Sequence, residues 1–192
     1  QVLIVSASSK TAIGLAQGLA ETEESPKIIG ITSSNNLQFV ESLGCYDQVI
    51  SYDDLGSINN VSTVMVDMSG NQEVLSAIQD NLKEELIKCL TVGMTHWDKG
   101  VSVDEALAQA ELQDRTEFFF APAHIQKRIG DWGQEGYAKK TNTFMSKRAE
   151  QSNDWMQIKR IRGLDNFSET YKEVVAGNIQ PNEGIIVEVY DA

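Results

Sequence analysis

Val2-Leu-Ile-Val-Ser-Ala-Ser-Ser-Lys-Thr-Ala-Ile-Gly-Leu-Ala-Gln-Gly-Leu-Ala20 decides the fold. Its first four residues form a short, β-branched apolar run, the pattern of a strand buried on both faces. Residues 6–10 are a small polar loop. From Thr11 onward, Ala12, Ile13, Ala16, Leu19 and Ala20 recur at helical spacing, with Gly14 and Gly18 allowing close packing. Strand, tight small-residue turn and helix make the opening βα unit of a dinucleotide-binding fold. The glycines that usually mark that unit are absent. Ala7, Ser9 and Ala12 stand where G-x-G-x-x-G would fall. All three are small enough for backbone approach, but a turn needing positive φ becomes strained without glycine.

The chain repeats this alternation. A polar turn ended by Pro26 leads to a second strand over 27–32, and Ser34 or Asn35 is placed to cap a helix with the apolar face Leu37, Val40 and Leu43, stopped by Gly44. A third strand is expected over 48–51 and a fourth over 63–67. Ser69 with Gln72 resembles a capping box before a helix lined by Val74, Ile78 and Leu82. A fifth strand follows over 86–92, closed by Gly93. The expected class is α/β, a Rossmann-like, doubly wound, mostly parallel six-stranded sheet with helices on both faces. The second half is less regular. Ser102 and Glu105 are placed to open a short helix, and 117–120 to form the sixth strand. A helical segment over about 123–156 is broken around 130–136, and its Trp132 and Trp155 are expected to cover the sheet edge. An edge strand over 157–162, a helix over 167–175 and a strand over 185–189 complete the chain, read as one domain over 1–192.

Composition narrows the function classes. With 192 residues, 41% hydrophobic and 23% charged, the chain can bury a sizeable core. No apolar run approaches a membrane span and no basic n-region precedes Val2, so neither a transmembrane helix nor a signal peptide is expected. Cys45 and Cys89 form no C-x-x-C pair, and with His96 and His124 they show no metal-ligand spacing. A reducing cytoplasm is expected. A net charge of −12 argues against nucleic acid or anionic membrane as partner. That charge is uneven, because residues 123–162 hold nine Lys or Arg against four Asp or Glu, net +5 against −17 for the remainder. The segment is either a solvated helical face or an electrostatic contact with another domain or subunit.

Three phrases carry a resemblance: Gly30-Ile-Thr-Ser-Ser34, Phe39-Val-Glu-Ser-Leu-Gly44 and Val49-Ile-Ser-Tyr52. With the tail Gly184-Ile-Ile-Val-Glu-Val189, the chain resembles the cofactor domain of the medium-chain dehydrogenase/reductases, especially their quinone-oxidoreductase branch. Within that superfamily it resembles a bacterial group known as a domain of unknown function, DUF2855. That likeness is carried by Ala7-Ser-Ser-Lys-Thr-Ala12, Thr32-Ser-Ser-Asn35, Val66-Asp-Met-Ser-Gly-Asn71, Gly93-Met-Thr-His-Trp97 and Phe118-Phe-Phe-Ala-Pro122. The resemblance implies a nicotinamide-binding fold. It also implies a preceding GroES-like, barrel-shaped domain that supplies much of the substrate pocket, and homodimer pairing through the strand at 117–120. The abrupt start at Gln1 is expected to reflect the loss of that domain or a trimmed end.

The candidate site residues follow the sheet's carboxyl edge. The turn over 6–11 is placed to hold a pyrophosphate on the amino terminus of the first helix, with Ser8, Ser9 and Thr11 adding hydroxyls and Lys10 a charge. An NAD site of this type has an acid about 20 residues beyond the turn, on the ribose 2′-hydroxyl. Residues 27–40 contain none. Thr32, Ser33, Asn35 and Asn36 offer neutral donors there, and Lys10 and Tyr52 are within reach of the same region. NADP is therefore favoured over NAD. Asp67, beside Met68, is either a buried strand-end carboxylate capping Asn71 or a ribose contact. Gly93, Thr95, His96 and Trp97 end the fifth strand, where His96 is either structural or a hydrogen-bond donor and acid toward a carbonyl. His124, Lys127 and Arg128 read as an exposed helix face. The leading expectation is metal-free hydride transfer between NADPH and a carbonyl, enone or quinone. The alternative is a degenerate nucleotide-binding or assembly module without catalysis.

Overall fold

The apolar run Val2–Val5 becomes β1, the inner strand around which a six-stranded sheet is ordered β3-β2-β1-β4-β5-β6. The structure is a computed structural model and describes residues 1–92 and 115–189. The sheet strands are β1, β2 (Ile28–Thr32), β3 (Gln48–Ser51), β4 (Thr63–Asp67), β5 (Leu86–Thr91) and β6 (Thr116–Phe118). Every pair among them is parallel. The helices α1 (Lys10–Ala20), α2 (Leu37–Ser42) and α3 (Gln72–Leu82) lie between them in sequence.

Strand alternation divides the core in two. Leu3 and Val5 of β1 join Ile29, Ile31, Met65, Ile78 and Leu82 on the α3 face. Ile4 turns the other way, joining Ala12, Ala16, Ile28 and Val66 on the α1 face. Helices thus cover both faces, and each fully buried Ile or Leu contributes about 1.5–3 kcal/mol. Gly30 has a specific reason. A Cβ there would lie 2.9 Å from Tyr46 Cδ1 and 3.0 Å from Ala7 Cβ, so the first turn packs directly on β2.

Local signals in the sequence resolve unevenly. Gly44 ends the second helical segment with φ +63°, as its position predicts. That segment begins as a 3-10 turn, Ser34–Asn36, before α2, and neither Ser33 nor Asn36 makes a side-chain cap. At α3 the cap is Asn71, not Ser69: the Asn71 side chain accepts from the amides of Glu73 and Val74 at 3.1 and 3.4 Å. Ser69 is held back by Asp67 and instead accepts from the Asn71 amide at 3.0 Å.

The described chain falls into two units, Gln1–Asn142 and Thr143–Ala192. A long helix, α4 (Ala121–Ser152), has its predicted break at Gly133, where φ is +70°. No residue of α4 is buried, and Trp132 is 42% exposed between Arg128 and Lys140, whose cations lie 5.3 and 5.0 Å from its ring. These cation–π contacts leave Trp132 at the surface instead of covering a sheet edge. His124 stacks on Phe119 with 4.3 Å between ring centroids. In the second unit, β7 (Gln157–Arg162) is followed by α5 (Leu164–Val175) and β8 (Glu183–Glu188). The two strands pair in parallel as their own two-stranded sheet, so 157–162 is not an edge strand of the main sheet.

Candidate functional site

Strand order reverses direction between β1 and β4: the chain leaves β1 toward β2 and β3 on one side and returns to β4 on the other. In an open parallel sheet, the crevice beyond the carboxyl ends of those two strands is where ligands bind. The turn over 6–9 and the turn over 67–71 meet this position.

The first turn keeps its glycine-type conformation without glycine. Ser6 has φ +63°, in the left-handed region that costs an ordinary residue about 1 kcal/mol. Neighbours hold it there. Ser6 is buried, its carbonyl accepts from the Ser9 amide at 2.9 Å, and the Ala7 amide donates to the Ile31 carbonyl at 2.9 Å. The Tyr46 hydroxyl donates to the Ala7 carbonyl at 2.9 Å. The Tyr52 hydroxyl meets both the backbone and the side chain of Ser6. Burial, joined by the negative charge of Asp67, pushes the Tyr52 phenol up to about 12 against those Ser6 contacts. Tyr52 is thereby turned to the turn and the core, packing like Leu55 against the α3-face cluster, and its hydroxyl supports Ser6.

The Ser9 hydroxyl caps α1, accepting from the Ala12 amide at 3.3 Å. Lys10 and Thr11 are exposed in the first turn, and partial burial lowers the Lys10 ammonium from its ordinary pKa. A cation beside a helix amino terminus favours an anion between them.

Two predicted groups do come together. The Asn36 amide donates to the Ser8 hydroxyl at 3.2 Å, tying the end of β2 to the first turn. Ser33 is half-buried beside them, and Thr32 is fully buried in the sheet. Asp67 is fully buried. Its carboxylate accepts from the Ser69 amide and hydroxyl at 2.7 Å each, and from the Gly70 amide at 3.1 Å. It is therefore a strand-end carboxylate that shapes the second turn through Ser69 and Gly70, and Ser69 in turn accepts from the Asn71 amide. Met68 is buried in the α1-face core. Gly93, Thr95, His96 and Trp97, like Ser102 and Glu105, lie outside the described residues.

One residue of this edge was missed by sequence reasoning. Asp53, in the 3-10 segment Tyr52–Ser57, accepts a very short hydrogen bond from the Ser34 hydroxyl and another from Ser51 at 3.2 Å. The signal was present as an acid two residues past the third strand. Its meeting with Ser34 depends on the β2–β3 register, in which Thr32 lies opposite Ser51. Among the described residues, no group of three His, Cys, Asp or Glu is placed to hold a metal ion, and no helix is long and apolar enough to cross a membrane.

Solved structures share this fold. CurA of Vibrio vulnificus, described in complex with NADPH, matches all of this chain and 57% of its own at TM-score 0.59 and 13% identity. The YhdH oxidoreductase of Salmonella enterica, in complex with NADP, matches 98% of this chain and 54% of its own at TM-score 0.57 and 14% identity. YhfP of Bacillus subtilis, with NAD bound, matches 98% and 54% at TM-score 0.51 and 12% identity. This chain thus spans little more than half the length of the structures it matches, and at these identities the likeness is one of fold. No functionally curated protein matches the sequence. A family model described as "Protein of unknown function (DUF2855)" matches residues 1–180. The chain belongs to the DUF2855 family.

Proposed function

We infer that this chain is the cofactor-holding domain of an oxidoreductase and binds a nicotinamide dinucleotide, NADP(H) in preference to NAD(H). One observation carries the reading: the Ser6–Ser9 turn, held at positive φ, delivers the amino terminus of α1 to the point where the strand order reverses. The pyrophosphate is assigned to the amides of that first turn, with Lys10 and Thr11 beside it and Ser8 held in place by Asn36. The adenosine ribose is assigned to the end of β2, where Ser33 and Asn36 supply neutral donors. Two of the fold neighbours named above are described with NADPH or NADP and one with NAD, which supports the class of ligand and the order of preference.

When bound, the nicotinamide supplies a hydride and becomes oxidised, while a carbonyl, enone or quinone gains that hydride and a proton. The share of this chain is positional. The Ser6 turn fixes the phosphates, Asp67 fixes the turn after β4 through Ser69 and Gly70, and both border the crevice in which the nicotinamide would lie. Substrate contacts are assigned in part to residues beyond the described ones and to further domains of a longer protein. A non-catalytic nucleotide-binding or assembly module is the alternative, favoured by the absence of glycine from the first turn.

The test is titration of the full chain with NADPH and NADH, read by thermal stabilisation and nicotinamide fluorescence. Saturating NADPH is expected to raise Tm, because a ligand that binds only the native state stabilises it. Lys10→Ala is expected to weaken NADPH several-fold, and Ser33→Asp to weaken NADPH more than NADH. A folded sample stabilised by neither nucleotide contradicts the reading.

A further inference from the structure

The ribose edge is acid-free only along its own strand. Asp53 arrives from the segment after β3 and reaches Ser34, two residues past the end of β2. The cluster is closed on itself. Ser34 donates to Asp53 Oδ2, Ser51 donates to the same oxygen at 3.2 Å, and the two hydroxyl oxygens lie 2.8 Å apart. The Asp53 amide in turn donates to Ser51 Oγ at 3.2 Å. Each serine has one hydroxyl proton, and both are spent inside the cluster. What remains for a ligand is a carboxylate charge and oxygen lone pairs.

Such a corner discriminates between the two nucleotides. A ribose 2′-hydroxyl carries a proton and can donate to it. A 2′-phosphate carries only acceptors and negative charge near neutral pH, and meets like charge with no donor. The group borders the end of β2, the edge at which dinucleotide-binding folds hold the acid that grips the ribose, but it comes from the segment after β3.

We propose that Asp53, through its charge, is a specificity-determining residue that opposes the 2′-phosphate and keeps the preference for NADPH over NADH narrow. The proposal rests on the nucleotide reading above. It adds a restraining charge to a site whose other donors, Ser33 and Asn36, accommodate the phosphate.

The experiment compares dissociation constants of NADPH and NADH for the full wild-type chain, Asp53→Asn and Ser34→Ala. Asp53 is exposed and the Asn replacement is isosteric, so thermal melts are expected to stay close to wild type. Asp53→Asn removes the repulsion and is expected to tighten NADPH about five- to ten-fold at low salt, with NADH unchanged or weaker. Raising the ionic strength should shrink that gain. Ser34→Ala unties the carboxylate but keeps its charge, and is expected to leave NADPH within about two-fold of wild type. Equal shifts of both nucleotides in Asp53→Asn, or no shift in either, overturn the role of Asp53 while the site stands. Failure of both nucleotides to bind the folded wild-type chain overturns the site, and this inference with it.

Discussion

Ser6 carries the clearest conflict between residue and position. A glycine at φ +63° would sit without strain, whereas serine is held there by the Tyr52 hydroxyl and by the amide contacts of the turn. Ser6→Gly removes that strain but also removes the hydroxyl that meets Tyr52 and adds unfolded-state entropy. The expected net change in stability is small, within about 1 kcal/mol of wild type. Ser6→Val keeps the strain, adds a branched side chain and loses the hydroxyl contact, and is expected to destabilise by about 2 kcal/mol or more. Urea midpoints of the two variants check this pair of outcomes. Equal destabilisation by both would remove backbone strain from the account. This conflict was half-legible in the sequence. Missing glycines predicted a strained turn, but the aligned positions were Ala7, Ser9 and Ala12, and the positive φ falls one residue earlier. Where a turn bends depends on which carbonyls its amides bind, here Ile31 for the Ala7 amide and Ser6 for the Ser9 amide, and that is not written in the turn itself.

Helix entries show what element-scale signals can and cannot carry. The first strands were readable because each holds a short apolar run, and β1, β3 and β4 span the residues expected of them, 2–5, 48–51 and 63–67. Capping was less readable at α3, since Ser69, Gly70 and Asn71 offer two capping residues within three positions. The competition is settled by Asp67, whose buried carboxylate takes the Ser69 hydroxyl and leaves Asn71 to cap. Asn71→Ala is therefore expected to cost about 1 kcal/mol, and Ser69→Ala to cost at least as much because it also strips a donor from buried Asp67. Thermal melts of the two variants measure the order. The Asp53 contact was illegible for a different reason: it joins two loops that only the parallel pairing of β2 with β3 brings together.

At the scale of the molecule, buried protons and uneven burial set the behaviour. Tyr52 and Cys89 are each pushed up to about 12 by burial, and Tyr46 is raised by the same cause. The unfolded chain releases these protons near pH 9 to 10, whereas the native one keeps them. Stability is thus fully present below pH 9. It is lost as pH rises toward 12, at about 1.4 kcal/mol per unit for each group that is ionised only in the unfolded chain. Urea midpoints between pH 8 and 11 are expected to fall, and Tyr52→Phe should flatten the slope. Burial is also concentrated in the first unit. β7 and α5 contain no buried residue, whereas β1 and β2 are almost wholly buried. Hydrogen exchange is expected to be at least tenfold faster in the β7–β8 pair than in β1.

The central claim is that a nicotinamide dinucleotide sits on the first turn. Backbone amide shifts of the isotope-labelled full chain, followed as NADPH is added, test it residue by residue. The account predicts saturable shifts concentrated at Ser8, Lys10, Thr11 and Ala12, with a second group at Ser33 to Asn36. Saturable shifts that spare both groups, or a well-folded spectrum that does not respond to NADPH at all, would contradict it.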